Sequence, residues 1–399
     1  MIKRVAQRLA QMEESATLRM AQLARDVAAQ GHPVISLSLG EPDFDTPQHI
    51  KDAAIRALQT GCTKYTPVAG LPQLRQAVCH KFKRDNNLDY SPDQIVVSNG
   101  AKQAIANLSM ALLEEGDEAI ILSPYWVSYK EILNLSGASV KFVSAGIEQD
   151  FKVSAEQLKA AISDKTRLLI YSSPCNPTGS LLTKEELASW VEVLKEFPNL
   201  IIVSDEIYEY INFSGEAHAS MAQFDEIKEQ VVIVNGFSKG FAMTGWRLGY
   251  MAAPKWIADA CIKIQGQFTS GANSFGQMAA AYALEAEQEA TLAMRAAFER
   301  RRNLLIELLR QIPGFKVNKP QGAFYLFPDV SALFGKSYGK HQIQTDEDLV
   351  LYLLETAHVA LVGGSAFGNA NCLRLSYALG EDDLKEACRR IAEACEKLK

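Results

Sequence analysis

The sequence predicts an α/β protein whose large domain has a mostly parallel sheet covered by helices, joined to a smaller α+β domain. From about residue 46, short apolar and β-branched runs alternate with amphipathic helical segments, as expected of parallel strands buried on both faces. After Pro254 this alternation gives way to a long helical region followed by a mixture of strands and helices. The length of 399 residues exceeds what one core usually holds and favours two domains.

Elements of the first part can be placed from helix caps and apolar runs. Thr46-Pro47 predicts a helix start with Thr46 as the N-cap, and residues 101–115 predict a helix that directly follows a strand. Capping boxes that begin at Ser154 and Thr183 predict two more helices. Strands are predicted at 95–100, 118–122, 139–143, 167–172, 200–205, 231–235 and 247–252.

The second part is predicted to hold one helical region at 274–311, strands at 323–327 and 372–376, and helices at 346–357 and 381–398. The glycine-rich segment 363–368 lacks the G-x-G-x-x-G spacing, so it predicts a turn and disfavours a dinucleotide-dependent dehydrogenase. The expected boundaries are 46–284 for the large domain, with 1–45 and 285–399 forming an N-terminal arm and the small domain.

Composition narrows the function classes. A net charge of −6 gives no general attraction to nucleic acid or anionic lipid, and no apolar run approaches the roughly 20 residues of a membrane span. The seven cysteines form no CxxC pair and show no metal-ligand spacing, which fits reduced thiols in a cytoplasmic protein. We therefore expect no metal, no nucleic-acid partner and no membrane contact.

Polar residues follow several predicted strands at their carboxyl ends, where open α/β sheets bind ligands. They are Asn176, Asp205, Tyr208, Ser238 and Lys239. Each has an ordinary structural explanation on its own, because NPTG is a good turn, a strand-end Asp often caps a helix, and Ser-Lys is often solvated surface. Their order and spacing together are more specific.

Eight motifs spread over nearly the whole chain resemble the fold-type I, PLP-dependent aminotransferases of classes I and II, and most closely their bacterial aspartate aminotransferase branch. These motifs are LGEPDF (39–44), KYTPVAGLPQLR (64–75), NGAKQA (99–104), PYWVSY (124–129), NPTG (176–179), SDEIY (204–208), SKGFAMTGWRLGY (238–250) and RLSYA (374–378).

The resemblance implies pyridoxal 5′-phosphate bound as a Schiff base to Lys239, whose freed amine then serves as the general base at the substrate Cα. Asp205 matches the carboxylate beside the ring nitrogen, and Tyr208 and Asn176 match the donors to the phenolate oxygen. Trp126 matches the aromatic residue that stacks on the ring.

Phosphate and substrate ligands are implied in the same way. The phosphate would be held by the helix N-terminus and nearby side chains, namely Gly100, Ala101, Lys102, Ser238 and Arg247, with Tyr65 reaching in from the other subunit of a homodimer. The substrate α-carboxylate would be held by Arg374 with help from Gly40 and Asn176, and the distal carboxylate of an acidic substrate by Lys102, Ser15 and Thr17. Trp126 is also expected to contact the substrate.

The implied reaction converts L-aspartate and 2-oxoglutarate into oxaloacetate and L-glutamate by a ping-pong route through pyridoxamine phosphate. The alternatives are an aminotransferase for aromatic, alanine or prephenate-type substrates, a C–S β-lyase, and a non-catalytic ligand sensor, which is disfavoured because no DNA-binding module precedes the fold. If these residues do not bind a distal carboxylate, Lys102 is expected to be a solvated helix residue and Ser15 a helix cap. Two positions depart from the family pattern. Gly236 occupies a position where many relatives carry a phosphate-binding serine, and Gly363 one where relatives often have a proline.

Overall fold

The structure is a computed structural model that describes residues 5–6, 9 and 12–399. The strands of this described part are β1 (Ile35–Ser36), β2 (Ile95–Ser98), β3 (Glu118–Ser123), β4 (Ser139–Ser144), β5 (Thr166–Ser172), β6 (Ile201–Asp205), β7 (Val231–Gly236), β8 (Gly249–Ala252), β9 (Tyr325–Leu326), β10 (Ser337–Tyr338), β11 (His341–Gln342), β12 (Val359–Ala360), β13 (Val362–Gly363) and β14 (Leu373–Ser376).

The α-helices of the same residues are α1 (Ala16–Ala29), α2 (Gln48–Gln59), α3 (Pro72–Asn86), α4 (Ala101–Leu112), α5 (Ser128–Asn134), α6 (Ala155–Ala161), α7 (Lys184–Leu194), α8 (Lys255–Phe268), α9 (Ser274–Glu285), α10 (Glu289–Leu309), α11 (Asp346–Ala357) and α12 (Glu381–Lys397). Across the described residues, no helix combines the length and the apolar character needed to cross a membrane.

A seven-stranded sheet with the order β2-β8-β7-β6-β5-β3-β4 forms the centre of the large domain. β8 is antiparallel to both of its neighbours, while the pairings among β3 to β7 are parallel. Separate apolar cores pack on its two faces, as the near-continuous apolar strands require. The predicted mostly parallel sheet covered by helices is therefore confirmed.

The register of the sheet brings three loops together at one edge. Ser172 at the end of β5 pairs with Asp205 at the end of β6, and Asp205 pairs with Val234 of β7. The segments that follow these strands, which carry Asn176, Tyr208 and Lys239, therefore leave the sheet side by side.

Another core, which we call the second core, lies apart from the two that pack on this sheet, and it joins both ends of the chain. Met20 and Leu37 pack with residues of the C-terminal part such as Phe298 and Leu373. The strands here are the antiparallel sheet β13-β14-β9 and the parallel pair β1 and β12. The predicted domain boundaries at 45/46 and 284/285 stay a prediction.

Two predicted helix boundaries were wrong. The region 274–311 is two helices, because α9 ends where Ala286 turns extended and the side-chain amide of Gln288 donates to the carbonyls of Ala283 and Ala286 at 2.9 and 2.7 Å. Thr46 does not cap α2, which begins at Gln48, since its hydroxyl donates to the Ala242 carbonyl at 2.6 Å instead. Both capping boxes at the starts of α6 and α7 are confirmed.

Strand lengths in the second half were also overestimated. The predicted strand 247–252 begins only at Gly249, because Arg247 has a left-handed backbone with φ 54° after a short 3₁₀ turn. The predicted strand 323–327 shrinks to β9, because Ala323 has φ 56° and cannot extend the ladder. The segment 363–368, predicted to be a turn, forms one short 3₁₀ helix at Gly364–Phe367 after β13 ends at Gly363.

Candidate active site

A cleft of about 510 Å³ opens at the carboxyl edge of the central sheet, against the second core. Twelve of the fifteen residues singled out in the sequence line it, namely Thr17, Gly40, Ala101, Lys102, Trp126, Asn176, Asp205, Tyr208, Ser238, Lys239, Arg247 and Arg374. Gly100 lies beside its wall, in contact range of Arg247. Ser15 and Tyr65 are not among the lining residues.

Lys239 is a half-buried amine in the loop after β7. Its Nζ donates to the carbonyl oxygen of Gly40. Burial lowers its pKa to about 8, against the opposing effect of Glu41, and the positive charges of Arg374 and Arg247 add to the lowering. An amine with this pKa can both carry and release a proton near neutral pH.

Asp205 is a buried carboxylate at the end of β6, 4% exposed. Tyr129 donates its hydroxyl to Oδ2 at 2.5 Å, and the Ile207 amide donates to Oδ1 at 3.2 Å. Burial nevertheless raises its pKa to about 6, because these two donors only partly replace the lost hydration. A cationic group placed beside it would restore the ordinary ionised form.

Arg374 lies on β14, lines the cleft and is 2% exposed. Nη1 donates to Oδ1 of Asn176 at 3.1 Å and Nη2 to the carbonyl of Ser38 at 2.5 Å. Nε is buried and has no hydrogen-bond partner among the described residues. Since buried donors are almost always paired, this N–H indicates a place for an acceptor, and the positive charge favours an anion.

A second anion-binding arrangement lies at the start of α4. Gly100 precedes the helix with φ 81°, and the first two helical residues, Ala101 and Lys102, line the cleft with their N-terminal amides unused by the helix. A Cβ at Gly100 would lie 2.5 Å from Nη2 of Arg247, so only glycine lets the guanidinium approach. With the Ser238 hydroxyl in the same cleft, amides, cation and hydroxyl together suit a phosphate group.

Aromatic residues close the space between these groups. The Lys102 Nζ lies 4.9 Å from the centre of the Trp126 ring, and Trp126 meets Tyr129 edge to face at 5.4 Å. The Tyr208 hydroxyl lies 2.7 Å from the Tyr325 hydroxyl. The floor of the cleft thus offers a flat aromatic face and a phenolic donor.

The N-terminal arm covers one side of the cleft. Thr17 lines it, and the hydroxyls of Ser15 and Thr17 are 2.9 Å apart. Ser15 occupies the position before α1, but its side chain makes no capping hydrogen bond. Glu13 pairs with Lys130 of α5 at 3.0 Å, and Arg19 pairs with Glu347 of α11, so the arm is tied to both parts of the protein.

Tyr65 stands apart from the other predicted site residues. Its side chain is fully exposed, at 101%, in a shallow groove that Leu58 and Phe275 also line. Its side chain is therefore not part of the cleft of its own chain.

Three residues in the site escaped the sequence reasoning. Ser38 contributes only its carbonyl to Arg374, which no side-chain pattern signals. Tyr129 lies three positions after Trp126 and shares its side of a helical turn, a spacing that could have singled it out. Tyr325 sits in an apolar run and resembles an ordinary core aromatic.

The two departures from the family pattern both lie in tightly packed places. A Cβ at Gly236 would lie 2.9 Å from the Cα of Gly249, so a serine there would displace the β7–β8 pairing. A Cβ at Gly363 would lie 2.6 Å from Oδ2 of Asp346, which accepts the Ser365 amide at 2.7 Å. The surroundings of both glycines are thus adapted to the absence of a side chain.

Comparisons with known proteins agree with this geometry. The sequence pattern described as "Aminotransferase class I and II" matches residues 32–391. An aspartate aminotransferase of Geobacillus stearothermophilus is 48% identical over 97% of this chain and 98% of its own length. A probable aspartate/prephenate aminotransferase of Rhizobium leguminosarum bv. phaseoli is 45% identical over 98% of each chain.

Solved structures give the same result. The crystal structure of the aspartate aminotransferase from Rhizobium meliloti superposes with a TM-score of 0.96 at 40% identity and covers all of both chains. The aspartate aminotransferase from Thermus thermophilus, solved with maleate, gives 0.92 at 39% identity over 98% of this chain and 100% of its own. The chain therefore belongs to the class I and II aminotransferase family, and the protein is an aminotransferase.

Proposed function

We propose that this aminotransferase binds pyridoxal 5′-phosphate and transfers the amino group of L-aspartate to 2-oxoglutarate. The observation that carries the proposal is one cleft that holds a lysine with a pKa of about 8, a buried carboxylate, and a buried arginine whose Nε–H has no partner in the described part of the chain. When bound, the cofactor supplies an aldehyde that joins amino groups covalently and a ring that takes up the electron pair of the substrate Cα–H bond.

The residues present fit this cofactor. The α4 amides, Ser238 and Arg247 suit its phosphate, since only a glycine at position 100 leaves room for the guanidinium beside the helix N-terminus. Asp205 suits the ring nitrogen. A proton held on that nitrogen makes it positively charged, and this charge would stabilise the ionised form of the buried Asp205 carboxylate. Tyr208 and Asn176 are available to its phenolic oxygen, and Trp126 to the ring face.

Lys239 would move the proton. Its Nζ is the amine that the aldehyde can bind, and once released it can take the proton from the substrate Cα and return it. The lowered pKa leaves a large neutral fraction near pH 8, which a base requires. The Gly40 carbonyl orients the amine through a hydrogen bond. The arm and the second core limit the access of water.

Substrate selection would depend on two separated cations. Arg374 would hold the α-carboxylate with the help of Asn176, and Lys102 with Thr17 and Ser15 would meet a distal carboxylate. The Thermus thermophilus relative solved with maleate, itself a dicarboxylate, supports an acidic substrate. Prephenate also carries two carboxylates and is the second candidate, because one relative is named as an aspartate/prephenate aminotransferase.

The decisive experiment is an absorbance spectrum of the cofactor-loaded protein before and after it receives a single amino donor. We expect a yellow band that bleaches with low concentrations of L-aspartate. In Lys102→Met the aspartate concentration for half-bleaching should rise about 10- to 100-fold, because a charge-assisted hydrogen bond is lost, while the response to L-alanine should be little changed. Lys184→Met, an exposed lysine at the start of α7, is the control.

Two outcomes would count against this proposal. A colourless protein that stays colourless with added cofactor would exclude pyridoxal 5′-phosphate. An equal rise for aspartate and alanine in Lys102→Met would exclude Lys102 as the distal carboxylate ligand.

The buried carboxylate should also be visible in the pH dependence of stability. Because the pKa of Asp205 is raised to about 6 in the fold, the folded protein binds more protons than the unfolded chain between about pH 4 and pH 6, and its stability falls as pH rises through this window. Cofactor-free Asp205→Asn should therefore be more stable than the unmodified protein at pH 7, by roughly 1–3 kcal/mol.

Urea unfolding of the cofactor-free proteins would measure this difference. It should shrink towards pH 4, where both forms are neutral at this position. The same variant should hold the cofactor more weakly. Equal stability of the two proteins at pH 7 would contradict the raised pKa.

We further propose that the protein is a homodimer with shared active sites and resides in the cytoplasm. The fully exposed Tyr65 supports the dimer, since a tyrosine that lies outside the cleft of its own chain is available to a second copy. Seven unpaired cysteines, most of them buried, support a reducing compartment.

A further inference from the structure

We propose that Tyr325 is a positioning residue that links the grip on the substrate α-carboxylate to the cofactor through Tyr208. The inference rests on the proposed function. It concerns a side chain that makes no predicted contact with cofactor or substrate and that the sequence motifs did not single out.

Tyr325 lies in the second core, next to the segment that follows β6 of the central sheet. It is fully buried, and its hydroxyl lies 2.7 Å from that of Tyr208, which follows β6 of the central sheet. The rings meet edge to face, with centres 5.8 Å apart. The guanidinium carbon of Arg374 lies 4.8 Å from the centre of the Tyr325 ring. One side chain thus contacts both the proposed phenolic donor and the proposed carboxylate ligand.

The position of the Tyr325 hydroxyl is built into the backbone around it. A Cβ at Gly40 would lie 2.6 Å from this oxygen, so the glycine makes room for it. The carbonyl oxygen of the same Gly40 accepts a hydrogen bond from the Lys239 amine. β9 and β14 pair so that Tyr325 is opposite Ser376, two residues from Arg374. A shift of this small sheet therefore moves Tyr325 and Arg374 together.

The hydroxyl of Tyr325 can act as the donor in its hydrogen bond with Tyr208. A tyrosine hydroxyl donates one hydrogen bond and can accept two. Burial raises the pKa of both tyrosines, so both keep their protons at neutral pH. If Tyr325 donates to the oxygen of Tyr208, the single proton of Tyr208 stays free for the phenolic oxygen of the cofactor. In the proposed arrangement Tyr325 is the donor of this pair, and it thereby fixes the direction in which Tyr208 donates.

This direction should affect the proton affinity of the nitrogen that joins Lys239 to the cofactor. A donor to the phenolic oxygen withdraws negative charge that would otherwise hold the proton on that nitrogen. Its pKa is therefore lower with the donor in place. Because Arg374 moves with Tyr325, binding of an α-carboxylate is coupled to this pKa through the pair of tyrosines.

The test is a pH titration of the visible absorbance of the cofactor-loaded protein. Tyr325→Phe should raise the pKa of the chromophore by about 0.5 to 1, the effect of one neutral hydrogen bond. Tyr208→Phe should raise it at least as much, and the double variant should match Tyr208→Phe alone. Tyr377→Phe is the matched control, because this buried tyrosine of the same core donates to the Ala323 carbonyl at 3.1 Å instead.

An unchanged titration in Tyr325→Phe would overturn the inference, as would shifts that add in the double variant or an equal shift in Tyr377→Phe. Failure of the proposed function looks different, because the unmodified protein itself would then show no titrating yellow band. A normal titration of the unmodified protein with an unmoved Tyr325→Phe would reject only the role of Tyr325.

Discussion

Replacing Lys239 by alanine is expected to lower kcat for aspartate by about 10⁴-fold or more, because the change removes both the proposed covalent attachment and the proposed proton carrier. The fold should survive, since the lost group is a half-buried amine whose charged form is disfavoured by burial. Borohydride treatment followed by mass spectrometry would show the cofactor fixed to the unmodified chain and absent from the variant. Full turnover by the variant would contradict the mechanism.

A matched control separates the amine from a general effect of lysine loss. Lys141 on β4 donates to the Ala161 carbonyl at 2.6 Å and does not line the cleft. Its replacement by alanine should leave turnover within a few-fold of the unmodified enzyme.

Lys239→Ala can also test whether two subunits share each active site. Mixed with Tyr65→Ala under conditions that allow subunit exchange, Lys239→Ala should regain activity. A hybrid dimer would contain one cleft with both changes and one with neither. Mixtures that stay as inactive as their components would contradict a Tyr65 that serves the neighbouring subunit.

Arg374→Lys is expected to reduce kcat/KM for aspartate by about 10²- to 10³-fold, although it conserves the charge. Nη1 and Nη2 are already engaged by Asn176 and Ser38, and Nε is the buried donor left for a ligand. A single ammonium cannot occupy all three places, and the loss of one member of a buried charged pair costs about 2–5 kcal/mol. Steady-state kinetics measure the effect.

Arg302→Lys provides the structural comparison. Arg302 is equally buried, but its Nη1 donates to the Pro320 carbonyl at 3.0 Å, outside the cleft. This variant should lose stability and keep kcat/KM. An Arg374→Lys enzyme with unchanged kcat/KM would exclude Arg374 as the α-carboxylate ligand.

Much of the fold follows from local sequence signals. The capping boxes before α6 and α7 fixed two helix starts, and the apolar runs located every strand of the central sheet. The errors arose where distant groups decide the backbone. Thr46 directly before Pro47 predicts an N-cap, yet its hydroxyl bonds to the carbonyl of Ala242, 196 positions away.

The site was predictable to the extent that it lies at strand ends. Asp205 and Lys239 follow buried strands, and the pattern of motifs placed Arg374 with Asn176, which the structure shows hydrogen-bonded at 3.1 Å. Their proposed roles in the reaction await the experiments above. Tyr129 and Tyr325 were missed because an aromatic residue at an apolar position is ordinarily core, and only the fold reveals which hydroxyl reaches a partner.

The hydrogen bond from Arg374 to the Ser38 carbonyl joins positions 336 residues apart. During synthesis on the ribosome, the strands of the central sheet emerge long before this contact can form, and Met20 and Leu37 have no partners from the later part of the chain to pack against. The nascent protein must therefore keep an amphipathic leading segment soluble while most of the polypeptide is still being made. The surroundings of Arg374 are thus completed late in the protein's biogenesis, and a chain that ends before residue 374 would hold every strand of the central sheet while lacking the proposed carboxylate ligand.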